Sequence, residues 1–117
     1  MTTRDIIQGY FDRLKAKRGW EAFLSDEMQF TIFTSPIERV TDRGAYLERL
    51  KRFYSMSKTV EIKDIIVDGN KACVLTRYEL QPSGGPIFDS HVAEVFEVRG
   101  DKITSFDIYF DSAPFPK

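Results

Sequence analysis

The sequence predicts an α+β fold in which three helical segments come first and four long strands follow. Apolar residues recur at helical spacing in residues 4–18, and this spacing returns between residues 41 and 54. From Lys58 onward, apolar and polar residues alternate, which is typical of strands. A chain of 117 residues suits one core, and we expect a single domain over residues 1–117.

The composition is that of an ordinary globular protein, with 42% hydrophobic and 30% charged residues. The net charge of −1 gives no strong field for nucleic acid or an acidic membrane surface, so neither partner is expected. No apolar run approaches the roughly 18 residues of a membrane helix, and the first residues do not resemble a signal peptide. We therefore expect a cytoplasmic protein. Cys73 has no second cysteine to pair with.

The first predicted helix has Thr3 as its N-cap and ends before Gly19. Its apolar stripe consists of Ile6, Ile7, Tyr10, Phe11 and Leu14. The basic residues Lys15, Lys17 and Arg18 are interpreted as a solvated helix end, where cations are favourable.

A short second helix is predicted around Trp20, Phe23 and Leu24, packed against the first. Residues 27–34 alternate as a strand, which Pro36 ends. Thr41 is the predicted N-cap of the third helix.

The four long strands are separated by turn and loop residues. The first covers residues 59–67, with a bulge expected at Asp64, and the second covers residues 71–80. The last two form a hairpin within residues 91–111, around the polar turn at residues 99–102.

Glu94 is the most informative residue, because it shares an apolar strand face with Val92, Phe96 and Val98. If this face is the interior, burial disfavours the charged carboxylate and raises its pKa. A neutral carboxyl group could then donate a hydrogen bond to a ligand or act as a general acid. The alternative is a structural acid paired with Arg77, Tyr78 or a helix tyrosine.

The opposite face of these strands is also apolar and needs a cover. It would carry Cys73, Leu75, Ala93 and Val95. We therefore predict a homodimer through the outer face of the sheet.

Three segments of the chain resemble the SnoaL-like branch of the nuclear transport factor 2-like superfamily. They are YFDRLKAKRGWEAFLSDEMQF, VTDRGAYLERLKRFY and FEVRGDKITSFDIYFDSAPF. The resemblance implies a cone: a curved antiparallel sheet wrapped over three N-terminal helices, with a pocket at the wide end. The same fold carries isomerases, cyclases, hydrolases and non-catalytic binders, so it does not define the activity.

The catalytic residues of two such enzyme groups are missing here. The resemblance places Phe33 where a ketosteroid isomerase has its carboxylate base. Glu94 lies near the protonated acid of that family, and Tyr10 or Phe11 lies near its helical tyrosine. It places Ile108, Tyr78 and Leu80 where limonene epoxide hydrolases have an Asp–Arg–Asp set.

Two further acid–base candidates remain. The resemblance implies an acid–base aspartate in the pocket of polyketide cyclases, and Asp107 and Glu94 are the late-strand acids available for it. Alternation turns Asp107 away from Phe106 and Ile108. His91 and Asp89 lie two residues apart, as a dehydratase pair would require, but alternation from Glu94 places them on the outer face. A register shift would turn the pair inward.

We therefore expect a small-molecule-binding protein, or a cofactor-free acid–base isomerase, cyclase or hydrolase acting on a small hydrophobic ring compound. The alternative is a non-catalytic dimerisation or interaction module. No metal is expected, because one His and one Cys fall short of a ligand set. The candidate catalytic residues are Glu94, Asp107 and His91. The candidate ligand-binding residues are Tyr10, Phe33, Tyr54, Tyr78, Phe96 and Ile108.

Overall fold

The computed structural model describes residues 1–115 and contains two α-helices, one short 3₁₀ helix and six strands. The helices are α1 (Thr3–Lys15), the 3₁₀ helix (Trp20–Phe23) and α2 (Arg43–Ser55). The strands are β1 (Leu24–Phe33), β2 (Glu38–Val40), β3 (Ser57–Asp68), β4 (Lys71–Leu80), β5 (Phe88–Arg99) and β6 (Lys102–Phe110).

All six strands form one sheet in the order β2-β1-β6-β5-β4-β3. Four of the pairings are antiparallel, and β1 runs parallel to β6. The helices cover one face of the sheet, where the buried side chains of both layers form a single core. The predicted α+β arrangement of helices against a long-stranded sheet is confirmed.

Helix α1 begins one residue earlier than predicted. The Thr2 hydroxyl accepts a hydrogen bond from the backbone N–H of Asp5, and the Asp5 carboxylate accepts one from Thr2. This reciprocal capping box makes Thr2, not Thr3, the N-cap. The helix ends at Lys15 rather than Arg18.

The predicted second helix is a single 3₁₀ turn, and Leu24 already belongs to β1. The turn does pack on α1, since Phe23 lies against Gly9. A Cβ atom at Gly9 would come within 2.8 Å of the Phe23 ring. The absence of a side chain at Gly9 therefore allows this close approach.

Helix α2 is capped by Asp42 rather than Thr41. The Asp42 carboxylate accepts a hydrogen bond of 2.9 Å from the backbone N–H of Ala45. Aspartate is among the strongest N-cap residues, so it takes this position ahead of the neighbouring threonine.

The long strands agree with the alternation in the sequence. The bulge predicted near Asp64 is present, because the register of β3 against β4 shifts between Ile62 and Asp64. The β5–β6 hairpin turns through Gly100 and Asp101, which have φ angles of 56° and 62°. Two central residues with positive φ are the mark of a type I′ turn.

The two faces of β5 differ as alternation predicts. Val92, Glu94, Phe96 and Val98 are buried under the helices. Ala93 and Val95 lie on the other face, which has no cover within residues 1–115 and is only half-buried. The inward orientation of Glu94 is therefore confirmed.

Candidate functional site

Glu94 lies at the centre of the interior face and is fully buried. Strand β4 supplies its partners, because Thr76 and Tyr78 occupy inward positions beside β5. The Tyr78 hydroxyl donates to the carboxylate, at 2.9 and 3.0 Å from its two oxygens, and the Thr76 hydroxyl donates to Oε2 at 3.0 Å. No cation pairs with Glu94 within the described chain.

Burial raises the pKa of Glu94 from 4.5 to about 7, although the hydrogen bonds from Tyr78 and Thr76 lower it. Burial has the larger effect because two hydroxyl groups replace only part of the hydration that a carboxylate has in water. Glu94 therefore exchanges a proton near neutral pH, which is the property that a general acid or base requires.

Three tyrosines surround this acid. The hydroxyls of Tyr10 on α1 and Tyr54 on α2 share a hydrogen bond of 2.5 Å. The Tyr54 ring lies over that of Tyr78, with their centroids 6.4 Å apart. Burial raises the pKa of each phenol well above its usual value, so all three stay protonated. They act as hydrogen-bonding groups rather than as bases.

A cavity of about 500 Å³ opens beside this cluster, between the ends of α1 and α2 and the start of β3. Its floor is apolar and aromatic, formed by Leu14, Trp20, Tyr54 and Val60. The Trp20 and Tyr54 rings meet edge to face, with centroids 5.0 Å apart. Such a floor suits a flat ring.

Tyr54 connects the cavity with the buried acid. Its side chain forms part of the cavity wall, while its hydroxyl and ring face Tyr10 and Tyr78. Glu94 does not line this cavity or the smaller one beside it. Tyr54 at the cavity wall thus stacks on Tyr78, and Tyr78 in turn contacts the buried acid.

Phe33 is not part of this site, which corrects the expectation. It lies opposite Tyr109 in the β1–β6 pairing, and the two rings stack with centroids 4.4 Å apart. Tyr109 is 43% exposed on the outer face. The interior positions of β1 are instead occupied by Phe30 and Ile32, so no β1 carboxylate faces Glu94.

The other two predicted ligand-binding residues, Phe96 and Ile108, do face inward. Ile108 lies opposite Glu94 in the β5–β6 pairing. Phe96 packs against the rings of Tyr10, Phe11 and Phe106. Both are almost fully buried, and neither lines the described cavity, so each belongs to the core in this conformation.

His91 and Asp89 lie on the outer face and do not contact each other within hydrogen-bonding distance. The Lys63 ammonium lies 2.7 Å from Nδ1 of His91, while Asp89 accepts a hydrogen bond from Arg77 at 2.9 Å. This geometry does not supply the His–Asp pair of a dehydratase.

Asp107 also lies on the outer face, opposite Thr31 and Val95 in the sheet. Burial raises its pKa, while a hydrogen bond from Thr31 and the charge of Arg39 lower it. It is separated from Glu94 by the thickness of the sheet, so the two acids cannot act on one ligand.

Sequence reasoning did not assign the cavity itself. Its floor and rim come from residues 14–20 and residues 51–60, which are far apart in the chain. The available signal was the basic cluster Lys15, Lys17 and Arg18, since two of its members lie at this rim. Within residues 1–115, no group of three or more His, Cys, Asp or Glu side chains could hold a metal ion. In the same range, no helix combines the length and apolarity that crossing a bilayer requires.

Two α-helices packed on one face of a six-stranded sheet give this chain the nuclear transport factor 2-like fold. A family model described as "SnoaL-like domain" matches residues 7–106. The chain belongs to the SnoaL-like domain family.

Solved structures with this fold cover nearly the whole chain. An NTF2-like protein of unknown function from Cytophaga hutchinsonii is 16% identical, covers 97% of this chain and 94% of its own, and has a TM-score of 0.78. A protein from Jannaschia sp. assigned as a SnoaL-like polyketide cyclase is 13% identical, with 93% and 85% coverage and a TM-score of 0.79. TerC, co-crystallised with polyporic acid, is 12% identical, with 97% and 94% coverage and a TM-score of 0.79. No protein of curated function matches this sequence.

Proposed function

We propose that this protein binds a small hydrophobic ring compound in the cavity between α1, α2 and β3. The observation that carries the proposal is the cavity of about 500 Å³ with its floor of Leu14, Trp20, Tyr54 and Val60. Small-molecule sites typically enclose roughly 300–1,000 Å³ and combine apolar walls with a few polar groups. Two proteins of similar fold, one assigned as a SnoaL-like polyketide cyclase and TerC co-crystallised with polyporic acid, support a small-molecule ligand.

Acid–base chemistry at Glu94 is the proposed activity on that compound. A carboxyl group with a pKa of about 7 donates or accepts a proton at neutral pH, and no cofactor is needed. Glu94 does not line the cavity, so the ligand ring reaches it only if the side chains that link them, Tyr54 at the cavity wall and Tyr78 on the acid, move aside. Isomerisation, cyclisation and hydrolysis are the reaction types that such a single acid can support.

Thermal unfolding in the presence of ring ketones, lactones and ring acids tests the binding. A ligand at about 100 times its Kd stabilises the folded protein by roughly 2.7 kcal/mol. The variant Thr59→Trp places a large ring in the cavity wall and is expected to abolish the shift. Thr41→Trp, on an exposed threonine outside the cavity, is the matched control and should keep it. A shift that survives Thr59→Trp, or no shift with any compound, would reject the cavity as the binding site.

The catalytic part is tested separately with Glu94→Gln, which keeps the shape of the side chain and removes its acid. Binding should remain within a few-fold of the wild-type affinity, because Glu94 does not line the cavity. Turnover of any bound compound should fall by at least about 100-fold, as general acid–base groups typically contribute. Equal turnover in both proteins would remove Glu94 from the mechanism and leave the binding function intact.

We also propose that two copies associate through the outer face of the sheet. The residues Leu75, Ala93, Tyr109 and Phe33 lie side by side across four strands. Leu75 is 37% exposed and Tyr109 is 43% exposed, so this row leaves apolar surface in contact with water. A stable interface buries about 800 Å² on each partner.

Light scattering during size-exclusion chromatography tests this association. We expect a dimer at micromolar concentration, and a monomer after Leu75→Glu, because a charge would then be buried at the interface. The matched variant Ala16→Glu adds the same charge at an exposed position after α1, away from the sheet, and should not change the mass. A monomeric wild-type protein would contradict the proposal. Dimerisation without any cavity ligand would favour the alternative of a non-catalytic interaction module.

A further inference from the structure

The rim of the cavity carries a concentration of positive charge that the apolar floor does not explain. Of its eleven lining residues four are lysines, and none of those described is acidic. The lysines are Lys15, Lys17, Lys51 and Lys58. The chain as a whole is nearly neutral, with 17 basic and 18 acidic residues, so this is a local excess.

These four ammonium groups have no counter-ions in the described chain. No ion pair or side-chain hydrogen bond within residues 1–115 involves any of them. The seven ion pairs of that part of the chain use arginines or the N-terminal amine instead. The positive charge at the rim is therefore available to a ligand.

The partial negative charges at the C-termini of the helices are too small to balance the positive charge of these lysines. Lys15 lies in the last turn of α1, where a cation is favourable, but Lys58 lies on a strand. Each helix C-terminus presents only about half a negative charge. The two helix ends near the cavity thus balance about one of the four positive charges.

Lys17 gives an independent indication, because its backbone conformation would favour glycine. The N–H groups of Lys17 and Arg18 donate to the carbonyls of Leu14 and Arg13, which is the Schellman pattern after α1. Lys17 occupies the left-handed position of this motif with φ at 63°. Glycine is usual there because a side chain is strained in this conformation. A lysine thus occupies a position where the backbone disfavours a side chain, and this side chain lines both described cavities.

We infer that the ligand of the cavity is an anion: a ring compound with a carboxylate or phosphate group, whose ring rests on Trp20 and Tyr54 while Lys15, Lys17, Lys51 and Lys58 bind the acidic group. This inference rests on the proposed binding function and specifies its ligand class. Lysine binds either acid as a compact point charge with three donors. A concave site with a single sign of charge also attracts such a ligand from solution.

Titration calorimetry with 2-naphthoate, 2-naphthyl phosphate and the neutral 2-naphthamide tests the inference. The three probes share one ring, so differences report on the acidic group. Both anions should bind at least about tenfold more tightly than the amide, as expected for one charge-assisted contact. The ratio between the two anions identifies which acid the rim prefers. High salt should weaken the binding of the two anions and leave that of the amide unchanged.

Lys17→Gly is the most informative variant, because it removes the amine and also removes the steric strain of a side chain at positive φ. The affinity for 2-naphthoate should fall about tenfold, while the Tm should stay equal to that of the wild type or rise. A merely structural lysine would show no loss of affinity. Lys51→Met should weaken the binding of 2-naphthoate to a similar degree. Lys71→Met makes the same charge change outside the cavity and should leave the affinity for 2-naphthoate within about twofold of the wild-type value.

The outcomes separate this inference from the proposed function. If 2-naphthamide binds as tightly as 2-naphthoate, the cavity binds rings but the anionic ligand class is wrong. If the anions bind more tightly but Lys17→Gly and Lys51→Met have no effect, the anion binds elsewhere and the inference is overturned. If none of the three probes binds, the cavity is rejected as a ring site and the inference fails with it.

Discussion

Glu94 on the inner face of β5 and Asp89 on its outer face lie in opposite surroundings. Glu94 is fully buried and is held only by the hydroxyls of Tyr78 and Thr76. Asp89 pairs with Arg77, which also binds Glu61 at 3.1 Å. The pKa of Glu94 is raised to about 7, whereas Asp89 and Glu61 form exposed ion pairs.

This difference teaches that the partners and the burial of an acid, rather than its residue type, decide what it can do. An ion pair at the surface is screened by water and salt and contributes little. A carboxylate without a cation in the core is destabilised by burial, and its proton affinity rises. The following three changes test this contrast, from the largest expected effect to the smallest.

Glu94→Gln should change how stability depends on pH. Because the pKa of Glu94 is about 7 in the folded protein and 4.5 ordinarily, the folded state keeps a proton that the unfolded state releases. The wild-type stability attributable to Glu94 is therefore complete below about pH 4.5 and is lost as the pH rises through about 7. Relative to Glu94→Gln, the wild type should lose up to ~3 kcal/mol across this window.

Urea unfolding of both proteins at about pH 4.5, 6 and 8 measures this difference. The difference in unfolding free energy should grow steadily in favour of Glu94→Gln as the pH increases. Parallel pH curves would mean that Glu94 has an ordinary pKa in the folded protein, and the contrast between the faces would then be wrong.

Tyr78→Phe should destabilise the protein by ~1–3 kcal/mol at about pH 8, because the ionised Glu94 loses a donor that water cannot replace. The Tyr78 hydrogen bond lowers the pKa of Glu94, so its removal should raise that pKa further. Carbon-13 NMR titration of the Glu94 carboxyl group measures the shift. Tyr109→Phe, at an exposed ring of the outer face, is the control and should change neither the free energy of unfolding nor the pKa of Glu94. A lower pKa in Tyr78→Phe would contradict the assignment of the donor.

Arg77→Gln should cost less than ~1 kcal/mol, although it breaks two ion pairs. Glu61 and Asp89 remain hydrated, since their side chains are 55% and 51% exposed. Unfolding in low and high salt measures the effect, which should disappear in about 0.5 M salt. A loss as large as that of Tyr78→Phe would contradict this prediction and would show that the proposed dimer interface extends over Arg77 and its two partners.

The fold and the inward orientation of Glu94 were predictable because they depend on local patterns. A positive-φ turn at Gly100 and Asp101 sets the hairpin register, and alternation then assigns each residue of β5 to a face. The caps of α1 and α2 were each displaced by one residue, since neighbouring residues can both serve: Thr2 and Thr3 at α1, and Thr41 and Asp42 at α2.

Phe33 and the cavity were missed for different reasons. The family resemblance assigned Phe33 to the pocket, although alternation with Phe30 and Ile32 already turns it to the outer face. The cavity depends on how the ends of α1 and α2 are placed over β3, which no local pattern specifies. Long-range placement therefore limited the prediction of the site more than that of the fold.

The hydroxyl partners of Glu94 have a consequence for how its protonation could be observed. The Thr76 hydroxyl lies 3.0 Å from Glu94 Oε2 and 3.4 Å from the carbonyl oxygen of Val92, so it has two acceptors. When Glu94 is protonated, Thr76 can turn its hydrogen toward Val92 and accept the carboxyl proton instead. The site can thus gain or lose a charge while every heavy atom keeps its position. X-ray structures at acidic and alkaline pH would look alike, and infrared or neutron measurements would be needed to distinguish the two states.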